Sequence, residues 1–125
     1  MDRHVQARLK REQVIWIVTA GRDLEPQAVP VWFYWDIRSF LIYAQDGVKV
    51  RHVRENPNVE LHLNSDEVGD DVVRVSGKAA IAKSSRPSPG YLRKYRSAIK
   101  NLGLTAESFF RDYHNPIRVT RLKYR

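Results

Sequence analysis

The sequence contains no cysteine and only one methionine among its 125 residues. Without thiols, the protein cannot form a disulfide, a thiolate-ligated metal site or a cysteine nucleophile. No apolar run approaches the roughly 20 residues that a membrane-spanning helix needs. The charged N-terminal segment, MDRHVQARLKREQ, has no apolar stretch like that of a secretory signal. These absences predict a soluble, cytoplasmic protein with no membrane partner.

Common motifs of self-sufficient enzymes are also missing. The chain has no G-x-S-x-G nucleophile elbow, no H-E-x-x-H zinc pair and no G-x-x-x-x-G-K-[ST] phosphate loop. Its four histidines have spacings that match no metal motif, so we expect solvated or hydrogen-bonded side chains at His4, His52, His62 and His114. We therefore predict no catalytic side chain and no metal ligand. Any reaction would depend on a bound cofactor.

Positive charge dominates the composition. The net charge is +8 and the isoelectric point is about 10.0. This balance favours an anionic partner, such as nucleic acid, a membrane surface or a phosphorylated small molecule. Hydrophobic residues make up 42% of the chain, which argues against disorder. The length predicts a single domain over residues 1–125.

Two runs rich in aromatic and β-branched residues predict a β-hairpin. They are Val31–Trp35 (VWFYW) and Phe40–Tyr43 (FLIY), joined by the short polar connection 36–39. Alternation along the first run places Trp32 and Tyr34 on one face and the other three residues on the opposite face. Both faces are aromatic, so each must be covered by a second layer, a subunit or a bound ring.

The remaining pattern favours an antiparallel β-barrel with five or six strands and short helices. Further strands are predicted over Val14–Thr19, Val59–Leu63, Val72–Ile81 with a bulge or bend at Gly77, and Ile117–Tyr124. Helices are predicted over Val5–Arg11, over Val48–Glu55, from the Ser88 N-cap through Lys100, and over Ala106–Tyr113 with Thr105 as the cap.

The helix Val48–Glu55 begins with a lysine, Lys49, in its first turn. A cation at that end opposes the helix dipole and lowers stability unless an anion lies nearby. One interpretation is therefore that Lys49 and free backbone N–H groups hold a phosphate. The alternative is a solvated basic face of the helix, in which Arg51 pairs with Glu55 at i, i+4.

A second basic helix follows Ser88. Its cations Arg93, Lys94, Arg96 and Lys100 could follow the phosphates of a nucleic acid, with Tyr91 and Tyr95 stacked on bases. The alternative is an amphipathic helix that turns its charges to water and packs an apolar face on the barrel. That face would consist of Tyr91, Leu92, Tyr95 and Ile99.

The chain resembles the pyridoxamine 5′-phosphate oxidase-like split β-barrel proteins, and within them the flavin- or deazaflavin (coenzyme F-420)-dependent oxidoreductases. The resemblance lies in PVWFYWD, FLIYAQ and KVRHVRENPNVELHL, and it extends from residue 7 to residue 121. Downstream matches are Gly77 in its strand, the helix with Tyr91, Lys94 and Tyr95, and the residues 117–121. The fold implied is a six-stranded antiparallel split barrel of the FMN-binding-protein type.

The resemblance implies a homodimer with two cofactor sites at the subunit interface. It implies FMN or coenzyme F-420 as cofactor and hydride transfer to or from a small organic substrate. The implied cofactor-binding residues are Val31, Trp32, Phe33, Tyr43, Ala44, Gln45, Lys49, Arg51 and His52. Three residues depart from the family pattern: Ala44 replaces a hydroxyl residue, His52 replaces Asn, and Ile37 stands where Gly often ends the hairpin corner.

Two other functions stay open from the sequence. One is a flavin-binding protein with little turnover, since lost polar contacts would change the cofactor site. The other is a small basic barrel that binds nucleic acid, although the resemblance makes that partner the less favoured one.

Overall fold

The computed structural model describes residues 1–83 and 86–125, in which seven strands pair into one antiparallel sheet. The strands are β1 (Val14–Ala20), β2 (Pro26–Trp32), β3 (Tyr34–Trp35), β4 (Phe40–Ala44), β5 (Asn58–His62), β6 (Arg74–Ile81) and β7 (Asn115–Tyr124). The helices are α1 (Arg3–Arg11), α2 (Val48–Glu55), α3 (Pro89–Asn101) and α4 (Ala106–Asp112). None of the helices described is long and apolar enough to cross a bilayer.

The strand order closes the sheet into a barrel. The order is β2-β1-β5-β6-β7-β4-β3, so β2 and β3 are the two edges. Only Phe33 separates these two strands in the chain. The edges must therefore meet at Phe33, and the sheet must curl on itself. We call this junction the seam. The predicted fold class, an antiparallel barrel with short helices, is confirmed.

The strand count is seven rather than six because the run Val31–Trp35 divides at the seam. Its first half continues β2, where Val31 faces Ile15 of β1. Its second half forms β3, where Trp35 faces Phe40 of β4. The predicted hairpin therefore contains only the last two residues of the run. Alternation reports which way a side chain faces but does not report which strand is the neighbour.

Two apolar clusters cover the two faces of this run. Phe33 and Trp35 lie inside the barrel with the inward side chains of the other strands, and Leu9 of α1 joins them there. Trp32 and Tyr34 lie outside, against a cluster formed by α3 and α4. The aromatic outer face is therefore covered by a second layer of the same chain.

Helix α3 has the amphipathic form expected of it. Tyr91, Tyr95 and Ile99 are buried, and Arg93 and Arg96 are exposed. The helix begins at the predicted cap, where the Ser88 hydroxyl accepts a hydrogen bond from the Tyr91 N–H. The predicted irregularity in β6 is also present, as a register shift between Ser76 and Lys78.

The backbone of Phe33 has no strand partner at the seam, because Phe33 takes part in neither strand pairing. Side chains of α3 supply its hydrogen bonds instead. Its N–H donates to the Tyr95 hydroxyl at 2.8 Å. The Tyr95 hydroxyl lies 2.9 Å from the Phe33 carbonyl and 2.6 Å from that of Gln13, and its single proton can serve one of them. The Lys94 ammonium donates to the Phe33 carbonyl at 2.9 Å and sits 3.7 Å from its ring centroid. The seam is thus held by two side chains of one helix.

We expect Tyr95→Phe to lower the free energy of unfolding by about 1–3 kcal/mol, because the buried Phe33 N–H loses its acceptor. Tyr34→Phe is the matched control, since the Tyr34 hydroxyl has no hydrogen bond within residues 1–83 and 86–125. Urea denaturation followed by tryptophan fluorescence measures both variants. Equal stabilities for the two variants would show that the seam does not depend on Tyr95.

Candidate functional site

A cavity of about 280 Å³ opens where β4 ends and α2 begins, under the outer helices. The lining comes from five elements and the loops between them. It consists of Pro30, Val31, Trp32, Tyr43, Ala44, Gln45, Asp46, Gly47, Lys49, Tyr91, Leu102, Phe109 and Tyr113. One end is polar and belongs to α2, and the rest is mostly aromatic.

The polar end exists because the chain changes from strand to helix there. After Ala44, the sequence Gln45-Asp46-Gly47 cannot extend a buried strand, and α2 starts at Val48. Gly47 is the N-cap and provides no side-chain hydrogen bond, and the first turn of α2 has no acidic residue. Backbone N–H groups at this helix start are consequently available to water or to an anion.

Lys49 lies in that first turn and is partly buried. Burial lowers the pKa of Lys49 from its ordinary value. Among the residues described, it forms no salt bridge. Desolvating a cation without a counter-ion costs free energy. The position of Lys49 is therefore unfavourable for the folded chain by itself.

Asp46 is the one carboxylate among the described lining residues, and it is already engaged. Its Oδ1 accepts a hydrogen bond from Asn115 Nδ2 at 2.8 Å and lies 3.1 Å from His114 Nε2. The hydrogen bond from Asn115, followed by the charge of His114, holds the pKa of Asp46 below its ordinary value. Asn115 also donates to the carbonyl of Ala44, so it fixes the end of β4 beside the cavity.

The aromatic walls are held by each other. Trp32 stacks on Tyr95 with ring centroids 4.7 Å apart and on Phe109 at 5.6 Å. Tyr43 meets Tyr91 edge to face at 4.6 Å. Such packing leaves the rings little freedom, so the cavity has fixed walls. The sequence left open whether Trp32 is covered by a second layer or by a bound ring. In the structure it packs against the outer helices and also lines the cavity.

The structure brings together six of the nine residues proposed as cofactor-binding. These six are Val31, Trp32, Tyr43, Ala44, Gln45 and Lys49. The other three lie outside the lining. Phe33 is fully buried at the seam, and Arg51 is exposed on the outer side of α2. His52 is buried and pairs through Nδ1 with Thr19 Oγ1 at 3.0 Å.

Sequence reasoning missed the contribution of the outer helices. In the amphipathic interpretation of α3, Tyr91 lies on the face that packs on the barrel, and the structure adds that it lines the cavity. Phe109 and Tyr113 come from α4 and the residue after it. Their only local signal was the apolar spacing of a short helix, which does not report what the helix covers.

Residues 1–124 match the family described as Pyridoxamine 5′-phosphate oxidase. The protein belongs to this family. The match spans the cavity and both outer helices, and it confirms the resemblance seen in the sequence. In this member of the pyridoxamine 5′-phosphate oxidase family, the split barrel closes at Phe33 and the cavity lies at the start of α2. No curated protein matches the chain significantly in sequence.

Solved structures with the same fold carry names that refer to several cofactors. An F420 reductase is 16% identical, with a TM-score of 0.64 over 100% of this chain and 96% of that one. An FAD-binding protein from Mesorhizobium loti is 13% identical, with a TM-score of 0.60 over 97% and 89%. The heme storage protein HutZ from Vibrio cholerae is 13% identical, with a TM-score of 0.61 over 94% and 87%. These likenesses establish the fold and leave the ligand to local chemistry.

We expect Lys49→Met to leave the free energy of unfolding unchanged or to raise it by about 0.5 kcal/mol, because the cation opposes the helix dipole. The control is Arg54→Met, which removes a cation from the last turn of the same helix and should lower stability slightly. Chemical denaturation at low salt compares the two. A loss of more than about 1 kcal/mol in Lys49→Met would mean that the lysine serves folding.

Proposed function

We propose that this protein is an oxidoreductase that binds FMN or coenzyme F-420 in the cavity at the start of α2. In this proposal, hydride passes between the cofactor and a small organic substrate. The observation that carries it is Lys49, a partly buried cation with no carboxylate partner in the described residues, placed at an uncapped helix start. Membership of the pyridoxamine 5′-phosphate oxidase family and the names of the F420 reductase and the FAD-binding protein support the same class of cofactor.

The phosphate of such a cofactor fits the polar end of the cavity. An anion there would restore the charge balance that Lys49 lacks, and it could accept hydrogen bonds from the first turn of α2. Because Asp46 is held by Asn115 and His114, its negative charge is partly offset by neighbours outside the lining. The local charge therefore favours a phosphate over a neutral group.

The ring system of the cofactor fits the apolar end. Val31, Trp32 and Tyr43 offer a fixed apolar wall, and Gln45 at the rim offers an amide for polar ring atoms. Ala44 has no hydroxyl, so that position contributes only apolar contact. When bound, FMN or coenzyme F-420 would supply the hydride chemistry that no lining side chain can perform.

A second copy of the chain would complete the site. The cavity of about 280 Å³ is at the lower limit of ligand sites, which commonly enclose about 300–1,000 Å³. One chain thus offers room for a phosphate tail and part of a ring. The aromatic outer face of the run Val31–Trp35 does not call for a partner subunit, because α3 and α4 of the same chain cover it. The homodimer is supported by the small volume of the cavity, because one chain alone does not enclose a whole cofactor.

The alternative of a flavin-binding protein with little turnover also draws on this cavity. Asp46 is the one carboxylate among the described lining residues, and it is already paired, so its carboxyl group is not free for proton transfer. Nucleic-acid binding is less well supported, because Tyr91 and Tyr95 are buried and unavailable to stack on bases.

The cofactor prediction compares wild type with Lys49→Met. We expect FMN or coenzyme F-420 to bind wild type, and the variant to bind it about 10- to 100-fold more weakly, the effect of one charge-assisted hydrogen bond. Arg54→Met has the same charge change on the same helix, and Arg54 lies outside the lining and acts there only through a weak charge effect on Asp46. Its binding should therefore stay within about twofold of wild type. Titration followed by visible absorption and fluorescence measures all three proteins.

Three outcomes would contradict the proposal. Equal affinity of wild type and Lys49→Met would remove Lys49 from the site. Binding of heme with no binding of either flavin-type cofactor would change the cofactor class. Salt-resistant, sequence-selective binding of an oligonucleotide would favour the nucleic-acid alternative, since non-specific phosphate contacts weaken steeply with salt.

The dimer prediction is tested by sedimentation velocity at micromolar concentration, with and without cofactor. We expect a species of twice the chain mass of 14.6 kDa. We also expect cofactor to favour the dimer, because a ligand shared by two subunits stabilises their association. A monomer under both conditions would contradict the shared site.

A further inference from the structure

A second and larger cavity lies next to the seam, on the other side of α3. It encloses about 490 Å³ between α1, the turn after β3 and the first turns of α3. We call it the seam cavity. Its lining consists of Leu9, Lys10, Tyr34, Trp35, Asp36, Ile37, Gly90, Arg93 and Lys94. It shares no residue with the lining of the cavity at α2.

The seam cavity has an excess of positive charge. Lys10, Arg93 and Lys94 face one carboxylate, that of Asp36. None of the three cations forms a salt bridge within the described parts of the chain. Three cations around one carboxylate in a concave surface leave an excess of positive charge, which attracts an anion.

Asp36 is used by its own turn. Its Oδ1 accepts hydrogen bonds from the backbone N–H groups of Arg38 and Ser39, at 3.1 and 2.7 Å. Its Oδ2 lies 3.9 Å from a guanidinium nitrogen of Arg118. The carboxylate is therefore committed to neighbours outside the lining, which leaves the cations of the cavity uncompensated.

Lys94 is the deepest of the three cations. Its ammonium is fixed at the seam by the carbonyl and the ring of Phe33. Burial lowers the pKa of Lys94 to about 8, against a smaller opposite effect of Glu12. A negatively charged ligand in the cavity would compensate the burial of this charge.

Ile37 gives the cavity an apolar lip at a conformational cost. Its φ is 81°, in the left-handed region that β-branched residues rarely adopt. Its side chain is 62% exposed, so packing in the core does not explain the residue. A glycine would serve the turn better. The exposed isoleucine is therefore unexplained by folding, and its position at the rim suggests contact with a ligand.

We propose that the seam cavity is a second binding site, which takes a small planar aromatic carboxylate. Arg93 matches the geometry of a carboxylate, and Lys10 and Lys94 add charge. Tyr34 and Ile37 provide the apolar surface for the ring. The mixture of aromatic and cationic lining, and the volume of about 490 Å³, fit an organic anion better than inorganic phosphate alone.

The test titrates ¹⁵N-labelled full-length protein with 2-naphthoate and follows it by NMR. We expect shifts in the amide signals of residues 34–37 and 90–94. Arg93→Gln should weaken binding about 10-fold, as loss of one charge-assisted contact predicts. Arg96→Gln is the matched control, because Arg96 is exposed on the same helix outside this lining. It should bind within about twofold of wild type, since a distant exposed charge is screened.

A second variant separates binding from folding. Ile37→Gly relieves the left-handed strain, so its unfolding midpoint in urea should be unchanged or higher. Its affinity for 2-naphthoate should nevertheless fall at least about threefold, because the apolar lip is lost. The neutral analogue 2-naphthamide and inorganic phosphate should each bind more weakly than 2-naphthoate.

Four results would overturn the proposal. These are shifts spread over the surface, equal weakening by Arg93→Gln and Arg96→Gln, full affinity in Ile37→Gly, and displacement of 2-naphthoate by FMN. The last result would place the ligand in the cavity at α2. FMN affinity measured on Arg93→Gln separates the two proposals, since it should equal that of wild type whether or not the seam cavity binds its ligand.

Discussion

The contact between α3 and Phe33 is the constraint on which the rest of the structure depends. A barrel whose two edges are joined by a single residue must leave that residue without a strand partner. The Tyr95 hydroxyl and the Lys94 ammonium satisfy its N–H and carbonyl. The docked α3 also covers Trp32, and its residues line both of the cavities described above. Tyr91 lines one of them, and Arg93 and Lys94 line the other.

Membership of the family and the chemistry of the site answer different questions. The pyridoxamine 5′-phosphate oxidase family and its structural neighbours establish the barrel, and the names of those neighbours refer to F420, FAD and heme. A fold shared by such different ligands cannot select one of them. Selection depends on local charge and shape, and here the local charge is Lys49, held at a helix start where folding gains nothing from it. The unfavourable position of Lys49, rather than the fold, is what supports the proposed phosphorylated cofactor.

Sequence signals that act over a few residues predicted their elements well. Helix α2 has the predicted bounds Val48–Glu55, because Gly47 and Asn56-Pro57 mark both ends locally. The division of the run Val31–Trp35 was not predictable, since the partner of each half lies far along the chain. The same limit applies to the site. Lys49 and Gln45 follow a strand end that the sequence reveals, whereas Phe109 and Tyr113 reach the cavity only through the packing of α4. The resemblance implied His52 as a site residue, but its burial beside Thr19 keeps it out of the cavity lining.

The position of β7 has a consequence for how the chain is made. This strand, Asn115–Tyr124, lies between β6 and β4 in the sheet, and it pairs with both. During synthesis, β4 and β6 therefore have exposed edges until these residues leave the ribosome. Tyr95 is likewise 62 positions later than the Phe33 backbone that it completes. Contacts so distant in sequence slow folding, and unpaired edges invite pairing with other nascent chains. The barrel can close only after translation of nearly every described residue, so both strand edges stay unpaired through most of synthesis.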